Sequence, residues 1–185
     1  MKKLTLLIAT AVGVLTTPAL LAQMNHDMGG MNHGDHSAHQ HGGNTQTAQT
    51  PLPEPVKTVF DNYLKIQADL AQDFLQGVHD SKALKDRALA IAEAVRNDPN
   101  KTFSTDLVQQ AETLSKATDL KTAREAFRPL SDSLIKYLGA HKDQAGNFEK
   151  VFCSMANARW LQKAGSAVNN PYMGKSMARC GQIES

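Results

Sequence analysis

From Val56 onward, apolar residues recur at spacings of three and four, the pattern of helices that bury one face. Val56, Val59, Phe60, Tyr63, Leu64, Leu70, Phe74, Leu75 and Val78 draw one stripe and predict a first helix. A second is predicted from Ser81, with Leu84, Ala88, Leu89, Ile91, Ala92 and Val95 facing inward. It should end before Asn97-Asp98-Pro99-Asn100, a cluster of turn formers. Ser104 or Thr105 is placed to cap a third helix carrying Leu107, Val108, Ala111 and Leu114. The fourth begins near Asp119 and carries Leu120, Ala123, Phe127, Leu130, Leu134 and Leu138. Pro129 interrupts its hydrogen-bond ladder and predicts a kink, but no stop, because the stripe continues past it.

Beyond the fourth helix the pattern changes. Val151-Phe152-Cys153-Ser154-Met155 predicts a short extended piece, and Trp160-Leu161 a packing anchor. Asn170 suits an N-cap, Pro171 the first helical position and Gly181 the position after the end, which predicts a three-turn helix over 171–180. Gly174 weakens it by about 1 kcal/mol relative to alanine. No alternating run announces a sheet of any size. The expected fold is therefore all-α, an antiparallel four-helix bundle over 56–185 with a C-terminal Cys/Met-bearing loop and short helix.

The N-terminal third follows other rules. Lys2 and Lys3, the apolar run Leu4–Leu15 and small residues up to Ala22 have the order of a secretory signal peptide, too short for a membrane span. Residues 1–22 are read as that signal and the location as periplasmic. Nothing after Ala22 is apolar enough to cross a bilayer, so no membrane insertion is expected after cleavage. Residues 23–50 lack core-forming side chains and read as a disordered tail, closed by a stiff linker at Pro51, Pro53 and Pro55.

Without Lys2 and Lys3 the chain carries 18 basic and 18 acidic residues, which leaves no electrostatic footprint for nucleic acid. No Ser-His-Asp order, phosphate loop, haem attachment motif or His-Glu-x-x-His occurs, and no enzymatic activity is expected.

Candidate chemistry lies in two places. Met24, His26, Met28, Met31, His33, His36, His39 and His41 place five histidines and three methionines within 18 residues. Thioether suits Cu(I) and imidazole suits Cu(II), so the mixture points to copper, whereas zinc or nickel would explain only the histidines. Cleavage after Gln23 would put His26 third from a free amine, a planar four-nitrogen setting for Cu(II), while cleavage after Ala22 would remove that option. At the other end, a helix over 171–180 would align Met173, Met177 and Cys180 on one face. Cys153 and Met155, one residue apart in an extended piece, would point the same way. Such a pocket would favour Cu(I), with silver as an alternative ion. A Cys153–Cys180 disulfide is the competing reading for an exported chain, and Met at helical spacing also serves as core filler. His79 and His141 read as residues closing the first and fourth helices.

Cys153-Ser154-Met155-Ala156, Trp160-Leu161, Asn170-Pro171-Tyr172, Gly174, Met177 and Cys180-Gly181 together resemble a bacterial domain-of-unknown-function family. Its pattern runs Cys-Pro-Met-Ala, Trp-Leu, Asn-Pro-Tyr-Phe-Gly, Met-Leu-x-Cys-Gly. Ala123-Arg124-Glu125-Ala126-Phe127 and Leu130-Ser131 are similar to its helical part, and the likeness extends over about 56–183. Members occur as small exported proteins and fused to adaptor subunits of copper and silver efflux pumps. The resemblance implies copper or silver homeostasis, with a periplasmic efflux adaptor as a partner besides the metal ion. Cys153, Met155, Met177 and Cys180 match its motif; Ser154 replaces a proline, and Met173 stands where an aromatic residue is usual. A helical module docking on such an adaptor, braced by a Cys153–Cys180 disulfide, is the alternative to metal buffering or transfer.

Overall fold

The computed structural model describes residues 50–75 and 77–184. Residues 1–49, which include the expected signal and most of the expected tail, lie outside them.

Helix α1 spans Val56–Ala71. Glu54 acts from just before its start, accepting from the Thr58 N–H at 3.2 Å and the Thr58 hydroxyl at 2.7 Å, so that an amide without an intrahelical partner is satisfied. The helix stops earlier than its stripe predicts. Arg124 donates to the Leu70 carbonyl at 2.8 Å and to the Asp73 carboxylate at 2.5 Å, and Asp73 takes a left-handed φ of 55°. That tertiary contact ends α1, leaving Phe74 exposed while Leu75 turns back into the core.

Helix α2 covers Val78–Arg96 and begins before the expected Ser81. It takes His79 into its own first turn, away from the end of α1. Helix α3 covers Asp106–Leu114; Thr105 precedes it with no side-chain cap, and Ser104 Oγ accepts the Asp106 N–H at 3.3 Å. Helix α4, Leu120–Ala140, begins where predicted; Asp119 caps it by accepting the Thr122 N–H at 2.9 Å, and the helix runs on through Pro129. His141 closes it, its ring stacked on Tyr137 with centroids 4.0 Å apart. A single turn, α5 (Lys142–Ala145), follows. Successive long helices pack on one another, α1 on α2, α2 on α3 and α3 on α4. None of the helices among the described residues is long and apolar enough to cross a membrane.

The chain is not all-α. Strands β1 (Phe148–Cys153), β2 (Ala158–Lys163) and β3 (Gln182–Glu184) form an antiparallel sheet in the order β2-β1-β3. The register pairs Val151 with Trp160 on one side and with Ile183 on the other. Val151 and Cys153 are buried at alternate positions of β1, the period of a strand with one covered face. The expected extended piece at Val151 is thus real, and Trp160-Leu161 is its hairpin partner as well as an anchor.

The sheet packs on α4 and, less extensively, on α1. Tyr63 joins the layers. Its ring stacks on Phe127 at 4.9 Å, and its hydroxyl accepts the Leu161 N–H at 2.9 Å while sharing a hydrogen bond with Ser131 Oγ at 2.9 Å. Burial pushes this phenol far above its ordinary pKa, so it remains a neutral, fully bonded strut.

The three-turn helix expected over 171–180 is absent. A 3₁₀ turn covers only Gly174–Met177, and Gly174 has φ +60°. A Cβ there would collide with the Asp73 carboxylate and the Arg124 guanidinium. The left-handed glycine is what lets the loop approach the end of α1, and it breaks the α-helical spacing.

Candidate functional site

The Cys/Met motif is built by the β1–β2 hairpin and the loop that returns from β2 to β3. The hairpin turn is Ser154–Asn157, closed by the Asn157 N–H on the Ser154 carbonyl at 3.2 Å, with Asn157 left-handed at φ 45°. Asn tolerates that region better than most residues. Helix α4 holds the turn through Arg128, which donates to the Asn157 carbonyl at 2.6 Å and the Ala156 carbonyl at 3.2 Å. The same guanidinium lies over the Tyr172 ring, 5.1 Å from its centroid. Burial drives the Tyr172 phenol upward, and it donates to the Arg159 carbonyl at 3.0 Å.

The returning loop is organised by Asn170, which is fully buried. Its Oδ1 accepts the N–H groups of Tyr172 (2.8 Å) and Met173 (3.1 Å), and its Nδ2 donates to the Cys180 carbonyl at 2.6 Å. Its capping character is therefore as expected, although what it caps is a tight loop and not an α-helix. Arg124 adds a bond to the Pro171 carbonyl at 2.7 Å, and the Lys175 N–H donates to Asp73 at 3.1 Å. Burial works to raise the Asp73 carboxyl, but the bonds and charges of Arg124 and Lys175 outweigh it and hold it below the usual carboxylate range. Arg159 ties β2 to β3 across the sheet, bonding Glu184 at 2.9 and 3.2 Å.

Cys153 and Cys180 are joined in a disulfide, with Cα atoms 5.8 Å apart and a sequence separation of 27. Of the two readings the sequence leaves open, the structure takes the disulfide, and both thiols are used. Cys153 is buried, and its Sγ accepts the Ala156 N–H at 3.4 Å; Cys180 is half-buried. Met155 stands exposed at the hairpin tip. Met177 ends the 3₁₀ turn, half-buried, and Met173 packs against the core edge, so the shared helix face of Met173, Met177 and Cys180 does not form. Among the described residues no group of three or more His, Cys, Asp or Glu side chains comes together to hold a metal ion. Met24, His26, Met28, Met31, His33, His36, His39 and His41 lie outside those residues.

Sequence reasoning missed the two arginines of α4. They stand one turn apart on a helix, and Arg124 entered only through the family resemblance, yet they carry the loop and the hairpin turn. With Tyr172 and Ala156 they line a cleft of about 450 Å³ between the start of α4 and the C-terminal loop. The arginine spacing of four is the one signal available, and only the returning chain gives it meaning.

Fold and site together describe a helical layer backed by a disulfide-closed three-stranded sheet. Residues 59–146, from α1 to the end of α5, match the family described as "Protein of unknown function (DUF3347)". The match stops before β1, so the sheet and the Cys/Met loop lie beyond it. No curated protein and no solved structure matches the chain.

Proposed function

We propose that this chain is an exported copper-binding protein, with silver as an alternative cargo, that buffers the metal or hands it to an efflux system. The tail from Met24 to His41 captures the ion, and the disulfide-closed domain is the module that docks on a partner such as an efflux adaptor. One observation carries the reading: five imidazoles and three thioethers stand within 18 residues, among Gly and Asn spacers. The mixture serves both oxidation states of copper, and soft, low-coordinate ions exchange ligands one at a time, which suits transfer. The disulfide supports this division of labour, because it removes both thiols from the resting ligand set.

The test is metal titration of the full, oxidised protein against a chromophoric copper chelator. A variant with His26, His33, His36, His39 and His41 changed to Asn and Met24, Met28 and Met31 changed to Leu should weaken capture at least tenfold, about 1.4 kcal/mol or more. An unchanged titration would remove the tail from the proposal. Mass spectrometry of exported protein should find Gln23 or Met24 at its start.

A further inference from the structure

Cys180 is held beside Cys153 by more than the disulfide. Asn170 grips the Cys180 carbonyl at 2.6 Å and, through its own N–H, the Ala178 carbonyl at 2.9 Å. Arg179 donates to the Val168 carbonyl at 2.7 Å. Immediately after, Gly181 lies so close to Trp160 and Val151 that a Cβ would stand 2.7 Å from each, and β3 then pairs with β1. None of these contacts uses sulfur.

We infer that the Cys153–Cys180 disulfide is the closed form of a redox-gated site for a soft monovalent cation, Cu(I) or Ag(I). This deepens the proposed function and rests on it for the cargo. In the reduced protein the contacts above keep the two thiols paired. Metal–thiolate bonds of about 2.3 Å require two sulfurs on one ion to lie within about 4.6 Å of each other. Cα atoms 5.8 Å apart reach that by side-chain rotation. Met177 supplies the neighbouring thioether. The Cys180 N–H donates to the Met177 carbonyl at 3.0 Å, an i to i+3 turn that holds the two residues' backbones within about 7 Å of each other.

The pair also has a direction of opening. Cys153 is buried and Cys180 half-buried, so Cys180 is the more open of the two to the thiolate of an external dithiol, which attacks its Sγ. A new S–S bond forms there, the old one breaks, and its electron pair leaves on Cys153 Sγ, which already accepts the Ala156 N–H. The second thiol of the donor then displaces Cys180. The donor ends as a disulfide and the protein as a dithiol, and the incoming cation displaces the two thiol protons.

The experiment titrates the full protein with Cu(I), oxidised and after anaerobic reduction by dithiothreitol with the reductant removed. The reduced form should bind one equivalent more than the oxidised form, and that equivalent should slow alkylation of both thiols by iodoacetamide. Circular dichroism and Trp160 fluorescence should show the reduced, metal-free protein still folded. Changing Met177→Leu should weaken the extra site by about tenfold, and an unchanged affinity would overturn the thioether's part. Equal stoichiometry in the two redox states overturns the site, as does unfolding on reduction. The oxidised titration reports the tail alone, so failure of the tail and failure of this site are read separately.

Discussion

Phe60, Tyr63, Phe127, Leu130 and Leu134 lie fully buried where α1 and α4 meet their neighbours, whereas the loop from Ala164 to Gly181 buries one large ring, that of Tyr172. The helical layer is ordered by apolar area, at about 25 cal/mol per Å² removed from water. The loop is ordered by directed bonds: three from the Asn170 side chain, one each from Arg124 and Arg179, and the disulfide. A closed loop of this length stabilises by about 3.5 kcal/mol in the chain-entropy account. Apolar packing is redundant and tolerant, since many contacts share the load. Directed bonds are few, and each is specific to one atom. This contrast separates the part of the molecule that must simply persist from the part that has to place two sulfurs side by side.

The largest effect should come from the shared core. Phe127→Ala removes a ring stacked on Tyr63 and should cost about 3–5 kcal/mol in urea denaturation. Because α4 backs the sheet, helices and strands should lose hydrogen-exchange protection together; a loss below about 1 kcal/mol would mean that the two regions do not share a core.

Asn170→Ala should cost less, about 2–3 kcal/mol, from three lost bonds and buried amides left without partners. Faster exchange confined to 170–181, with α1 to α4 unchanged, is the expected pattern. Uniform acceleration would show that the loop is no separate unit.

The smallest effect tests the seam between the regions. Asp73, at the end of α1, bonds both Arg124 and the Lys175 N–H of the loop. Its folded pKa is lowered, so the unfolded chain binds the proton more readily. Its stabilising contribution is present above about pH 4 and is lost as pH falls through the depressed folded value. Acid denaturation of Asp73→Asn, already lacking that contribution at neutral pH, should have a shallower slope in this range; an identical slope would exclude Asp73 as the acid-sensitive link.

The chain alone determined the helical stripes, the buried faces of Phe60, Phe127 and Leu134, the start of the fourth helix near Asp119, the capping character of Asn170, and the clustering of Met and His before residue 42. These are local properties: a stripe needs only the 3.6-residue period, and a cap only a side-chain oxygen beside free amides. Only the tertiary structure decided where α1 ends, because Arg124 arrives from 54 and 51 residues away to satisfy Leu70 and Asp73 respectively. It also decided that the C-terminal segment is a sheet and a tight loop. A six-residue strand offers too short an alternation to stand out, and β3 joins it from beyond the returning loop. The resting state of the two cysteines was decided in the same way. Cα atoms 5.8 Å apart are a product of strand register and the Asn170 clamp, and no spacing in the sequence encodes that distance.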